Sequence, residues 1–410
     1  LVSSAPVSMT NCPGTSASFS VSATGTGLSY QWYKGGNVLA GQTGSSLVLA
    51  NVSTTDAGTY SVVVSGTCGS AVTNSATLTV NQAVLVSSAP VSVTNCPGTS
   101  ASFSVSATGT GLSYQWYKGG NAIVGQTGSS LVLANVSATD AGTYSVVVSG
   151  TCGSAVTNSA TLTVNQAVLV SSAPVSVTNC PGTSASFSVS ATGTGLSYQW
   201  YKGGNAIVGQ TGNSLVLANV SATDAGTYSV VVSGACGSAV TNSATLTVNQ
   251  LAKVIGSPAG QSVCEGASVS FSVSATGTGL SYQWRKGGAA IAGATTSTYG
   301  LESVTTADAG RYDVAVTGTC GAVLSSEAVL TINPATVTTP LENLTNNLGT
   351  CATFTTVASG TGPFTYVWKK KGATIAGATT ASLTLTNLDY ADAGVYSVEV
   401  SGGCNVAVQS

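Results

Sequence analysis

Cysteine is the residue whose spacing in this sequence could do chemistry. Ten cysteines fall at two fixed points of an 84-residue period: Cys12 and Cys68, Cys96 and Cys152, Cys180 and Cys236, Cys264 and Cys320, Cys351 and Cys404. The first four pairs are 56 residues apart and the last 53. Two thiols per period could oxidise or hold a metal as thiolates. Zinc is disfavoured, because the chain has no histidine and no C-x-x-C knuckle. Five structural disulfides, one within each period, are the economical arrangement, and they place the chain in an oxidising compartment. Closing a loop of this length stabilises a unit by roughly 4 kcal/mol on the chain-entropy argument. That matters for a unit whose core is modest.

Other reactive groups are scarce. Repeats 1 to 3 carry one aspartate each (Asp56, Asp140, Asp224) and no glutamate. Glycoside hydrolysis needs two acids about one bond, calcium needs clustered oxygens, and a nucleophilic serine needs a base. The chain is therefore not expected to be an enzyme, and no catalytic, metal or cofactor site is assigned. Lys and Arg total 10 against 12 Asp and Glu, too few for a phosphate-neutralising stripe, so nucleic acid is not an expected partner. No apolar run approaches the ~18–20 residues of a spanning helix, so no direct membrane insertion is expected in this segment.

The elements that hold the cysteines repeat with them. Asp56-Ala-Gly-Thr-Tyr60-Ser-Val-Val-Val-Ser-Gly-Thr-Cys68 returns at 140–152, 224–236, 308–320 and 392–404, and Trp32, Trp116, Trp200, Trp284 and Trp368 each lie 36 residues before the second cysteine. Such self-similarity marks one folding unit in series. In repeat 1, residues 17–23 alternate with period two. So do 28–34, with Leu28, Tyr30 and Trp32 on one face, and 46–52, 60–65 and 74–80 read as further strands. Gly35-Gly-Asn37 reads as a hairpin and Asp56-Ala-Gly58 as a tight turn. About seven short strands and no helical period indicate a β-sandwich. The expected units are 1–82, 83–166, 167–250, 251–334 and 335–410. The last ends six residues after Cys404, short of a closing strand. A window cut from a longer protein is the expectation, with a strand donated by another chain as the alternative.

A tryptophan on the third strand and an Asp-x-Gly-x-Tyr turn before the sixth resemble the immunoglobulin superfamily, whose tyrosine corner sits at that turn. The inter-sheet cysteine positions of antibody domains fall on Val21 and Val62, so the thiols here stand further out. Together with Ala-Thr-Gly-Thr-Gly-Leu-Ser-Tyr-Gln-Trp and Val-Ser-Gly-Thr-Cys-Gly-Ser, the pattern resembles Ig-like repeats of large bacterial cell-surface proteins, many from Bacteroidota. The resemblance implies an all-β chain of five tandem immunoglobulin-like β-sandwich domains, each with one intradomain disulfide.

Repeat 2 differs from repeat 1 at five positions (Val93 for Met9, Ala122 for Val38, Ile123 for Leu39, Val124 for Ala40, Ala138 for Thr54), and repeat 3 from repeat 2 at two, Asn213 and Ala235. The joints lack glycine, which suggests a semi-rigid rod of roughly 35–40 Å per unit, near 200 Å in all. Tyr33 and Val63 fall on the outward face of their sheet, and they form a candidate contact patch that is expected to be exposed and mildly apolar. The patch is repeated as Tyr117 with Val147 and as Tyr201 with Val231; repeats 4 and 5 place Arg285 and Lys369 at the tyrosine position. The tryptophans read as core rather than sugar-stacking platforms. Asn51, Asn135, Asn219 and Asn343 match the N-glycosylation pattern, and Lys369-Lys-Lys371 reads as a solvated hairpin end. The expected role is an extracellular or cell-surface stalk that spaces a terminal adhesive or anchoring domain. The alternatives are a subunit of an assembled fibre and a glycan-binding accessory array. Expected partners are other proteins, copies of itself or surface glycans.

Overall fold

The computed structural model describes residues 1–404 and the backbone of Val408 and Gln409. Alternation becomes strand where one face has a core to meet. In repeat 1 the strands are β1 (Val2–Ser4), β2 (Met9–Asn11), β3 (Ala17–Ser20), β4 (Ser22–Ala23), β5 (Ser29–Lys34), β6 (Asn37–Val38), β7 (Ser46–Leu49), β8 (Gly58–Ser65) and β9 (Val72–Val80). One sheet runs β2-β9-β8-β5-β6; the opposing layer is made of the pairs β3-β7 and β1-β4. Strand β2 runs parallel to the end of β9, with Asn11 opposite Val80, whereas β8 and β9 are antiparallel, with Val64 opposite Val72. These registers fix where each cysteine stands.

Between the layers lie Phe19, Val21, Trp32, Leu47, Tyr60, Val62 and Leu78, all buried. Trp32 is fully buried, and its indole N–H donates to the Gly44 carbonyl at 3.0 Å, so the one polar atom of the ring is satisfied. Phe19 and Tyr60 stack with centroids 5.2 Å apart. Burying a ring of this kind contributes about 2–3 kcal/mol each by area. The tyrosine hydroxyl donates to the Asp56 carbonyl at 2.8 Å, closing the corner that the Asp-x-Gly-x-Tyr spacing indicates. Gly58 has φ +141°, which a side chain at that turn would not adopt.

Repeats 2 and 3 keep these registers with every number advanced by 84 and 168. In repeat 4 the last strand is split into Gly321–Leu324 and Ala328–Asn333. In repeat 5 the buried core cluster shrinks to Trp368, Leu383, Val398 and Val400. The expectation about the closing strand of repeat 5 falls on residues 405–410, which lie outside the described residues except for the strand Val408–Gln409 against Glu399 and Val400. Besides strands, each repeat has one three-residue 3-10 turn, such as Thr54–Asp56. The chain is all-β, a tandem series of Ig-like sandwiches.

The cysteines correct the expected pairing. No bridge lies within a repeat among the described residues. Cys12 is joined to Cys152, Cys96 to Cys236, Cys180 to Cys320 and Cys264 to Cys404, each across 140 residues with Cα atoms 5.5 Å apart. Cys68 and Cys351 are free and exposed. The reason is geometric. Cys12 follows β2 beside the end of β9, whereas Cys68 follows β8 beside its beginning. The nine residues of β9 separate the two sites by roughly 25–30 Å. A disulfide needs Cα atoms within about 7 Å. The first cysteine of a repeat faces the second cysteine of the next repeat instead.

Candidate functional site

The sites that recur with chemical consequence are the joints. At each one the linker hydrogen-bonds into the loops of the next repeat. Gln82 N–H donates to Thr110 Oγ1 at 2.8 Å, Thr110 N–H to the Gln82 carbonyl at 3.0 Å, and Val84 N–H to the Cys152 carbonyl at 3.1 Å. The same three bonds recur at Gln166, Thr194 and Val168 with Cys236. Gln250 and Thr278 repeat the first two, and at the last joint Thr361 N–H meets the Pro334 carbonyl. Gly150 admits the linker: a Cβ there would come 2.7 Å from Val84 Cγ2, and Gly234 meets Val168 in the same way. The linker and the bridge together bury Cys152, Cys236, Cys320 and Cys404. Cys68, at the same place in repeat 1, is exposed.

Cys351 departs from this scheme. In repeat 1 the turn bond runs from Thr15 N–H to the Cys12 carbonyl, and in repeat 5 from Thr350 N–H to the Asn347 carbonyl. Asn347 thus stands where Cys12 would, and Cys351 lies four residues further on.

A second recurring cluster surrounds the tyrosine corner. Asp56 Oδ2 accepts from the Ser53 N–H at 2.7 Å and the Ser53 hydroxyl at 2.9 Å. Lys34 Nζ donates to the Thr55 carbonyl at 2.7 Å and sits 5.5 Å over the Tyr60 ring. The backbone and hydroxyl bonds of Ser53 hold the Asp56 carboxyl below its ordinary range, with Lys34 adding a smaller pull. Asp140, Asp224 and Asp308 are lowered by the same contacts. These aspartates shape a turn; none faces a second acid. Among the described residues no group of three His, Cys, Asp or Glu side chains could hold a metal ion, and no helix is long and apolar enough to cross a membrane.

The candidate contact patch lies on the outer face of the five-stranded sheet, but it is less open than expected. Tyr33, Tyr117 and Tyr201 are half-buried, and so are Val63, Val147 and Val231. The valines are covered because their strand is flanked on both sides. Val63 stands between Gln31 and Thr73, Val147 between Gln115 and Thr157, and Val231 between Gln199 and Thr241. Side chains directly opposed across a sheet pack together, so each valine is screened by two neighbours. The glutamine is also pinned: Gln31, Gln115 and Gln199 donate through Nε2 to the carbonyls of Leu39, Ile123 and Ile207. Tyr33 stands opposite Ser61 and Val38. In repeat 4, Arg285 clamps the opposed Asp313 at 2.7 and 2.6 Å. In repeat 5, Lys369 lies 2.8 Å from Glu399. Asn51, Asn135 and Asn219 hold left-handed backbone near φ +55°, a turn role asparagine suits.

Sequence reasoning missed the joint. The signal was present in the strand order, since counting strand directions puts the two cysteines of one repeat at opposite ends.

Known proteins bear on these features. At 28% identity over 407 residues, 88% of this chain aligns with the muscle M-line assembly protein unc-89 of Caenorhabditis elegans, of whose length it spans 5%. Among solved structures, two of a three-Ig fragment of titin, one of them a mutated variant, overlay with TM-score 0.50 and 21% identity. They cover 61% of this chain and 98% and 99% of their own. That likeness shows the fold. Residues 2–81, 85–165 and 169–249 match the family described as Ig-like domain, CHU_C associated. Tandem Ig-like repeats of this kind are structural and binding modules, and the chain belongs to the CHU_C-associated Ig-like domain family.

Proposed function

We propose that the array is an extracellular stalk of a bacterial surface protein that spaces a terminal adhesive or anchoring domain from the cell, and that it performs no catalysis. Its working units are 1–82, 83–166, 167–250, 251–334 and 335–410. The observation that carries this reading is the double connection at every joint, one peptide link and one disulfide. A joint held twice resists bending, and near-identical repeats let reach change by copy number without changing chemistry. Structural disulfides suit an oxidising exterior.

Excision of residues 85–168 from the surface-displayed protein tests the reading. The bridge pattern survives, because Cys12 then meets Cys236. The displayed end is expected to sit one repeat nearer the cell, with binding by the terminal domain otherwise intact. Unchanged height, or loss of binding in a still-folded protein, contradicts it.

A second reading is supported by the half-buried tyrosine and valine on an outer sheet face in repeats 1 to 3, Tyr33 with Val63, Tyr117 with Val147 and Tyr201 with Val231: lateral contact between copies in a fibre. Tyr33→Ser with Tyr117→Ser and Tyr201→Ser would then abolish self-association while leaving the fold intact.

A further inference from the structure

The bridges do more than pin neighbours together. Followed along the chain, they divide its covalent connectivity into two rails. One runs through Cys12, across to Cys152, along the chain to Cys180 and across to Cys320. The other runs from Cys68 along the chain to Cys96, across to Cys236, along to Cys264 and across to Cys404. Each peptide stretch between crossings, such as Cys152 to Cys180, is 28 positions long. At every joint one rail passes as peptide and the other as disulfide.

Those peptide stretches are already drawn out. Between Cys152 and Cys180 the backbone is strand at Val156–Val164, Leu169–Ser172 and Val177–Asn179. Fully stretched, 28 residues span about 100 Å. Folded, the same path runs the length of two repeats, and the nine-residue strand of one of them alone covers roughly 30 Å. Without bridges, the two 84-residue repeats could lengthen to about 600 Å. The strands that carry Phe103, Trp116 and Tyr144 lie between Cys96 and Cys152, off the short path.

We propose that the array is a tether of capped extension, whose limiting length under load is set by the disulfide rails and not by the stability of the sandwiches, and that a thiol reductant releases it. In that release one S–S bond per bridge exchanges into two thiols while a dithiol reductant closes its own disulfide. The inference rests on the bridge pattern alone, so it stands or falls independently of where the array is displayed.

Single-molecule pulling between Leu1 and Ser410 of the intact chain is the test. In the oxidised chain the shortest path runs from Leu1 to Cys12, over to Cys152, to Cys180, over to Cys320, back to Cys264 and over to Cys404. It holds about 100 residues, so the expected limiting contour is about 360 Å. With reductant present it is expected to be about 1,470 Å, a fourfold increase. The variant Cys12→Ser, Cys152→Ser is expected to add about 100 Å to the oxidised contour, a covalent readout that holds even if a repeat unfolds. An oxidised contour near 475 Å, about the value for bridges closed within repeats, overturns the proposal. So does one equal to the reduced contour.

Discussion

Cys12 and Cys152 stand with Cα atoms 5.5 Å apart although 140 residues separate them, whereas Cys12 and Cys68, in the same repeat, are held at opposite ends of β9. The disulfide therefore belongs to the joint and not to the sandwich. Each sandwich must stand on its own core, and the properties of repeats and joints should separate in experiment.

Trp116→Ala should open repeat 2 alone. The substitution empties the centre of a fully buried cluster and leaves the Gly128 carbonyl without its indole donor. The cost is expected to be about 3–5 kcal/mol. Hydrogen exchange in Ser113–Lys118 and Gly142–Ser149 should accelerate on the order of a hundredfold or more, with the equivalent strands of repeats 1 and 3 unchanged. Equal acceleration in all repeats would show that the cores are not independent.

Acid should loosen the tyrosine-corner turns together. Asp56, Asp140, Asp224 and Asp308 have carboxyl pKa values below the ordinary 3.8 because serine or threonine donors favour the charged form. A depressed carboxyl adds stability that is present above its unfolded value and lost as pH falls through its folded one. Melting temperature should thus hold from neutral pH to about 4 and fall below that. The quadruple Asp→Asn variant should melt lower at neutral pH with a flatter acid limb. An unaltered limb would remove these groups as the cause.

At the alkaline end, repeat 4 should lose stability. Burial, with Tyr299 and then Asp308 nearby, pushes the Tyr312 hydroxyl from 10.0 up to about 12. A raised folded value means the stabilising contribution is complete below pH 10 and drains away as pH climbs toward 12. Spectrophotometric titration should show a late phenolate step that Tyr312→Phe removes. Its persistence in that variant would assign the step elsewhere.

The sandwich was legible because period-two alternation, the Trp32 and Tyr60 spacing and the Asp56 turn each report a local requirement of a buried sheet. The buried state of Val21 and Val62 follows from the same alternation. Alternation also put Val63, Val147 and Val231 on the outer face, but it carries no record of the neighbouring strands, whose glutamine and threonine side chains screen them. The pairing of Cys12 was not legible from spacing, because in identical repeats the distance to a partner in the same unit and in the next are equally regular. What decides between them is strand direction: β2 parallel to the end of β9 carries Cys12 to one pole, and β8 carries Cys68 to the other. The shift of Cys351 out of the Cys12 position was likewise hidden, since it needs the turn bond of Thr350 to Asn347 to fix the register.

The most direct measurement is a tryptic map of the unreduced, alkylated protein. The ten lysines and arginines separate the relevant cysteines. Peptide 1–34 should be found attached to 119–202, and that in turn to 312–369, with Cys68 alkylated on 35–118. Finding 1–34 attached to 35–118 would place the bridges inside the repeats and contradict the account.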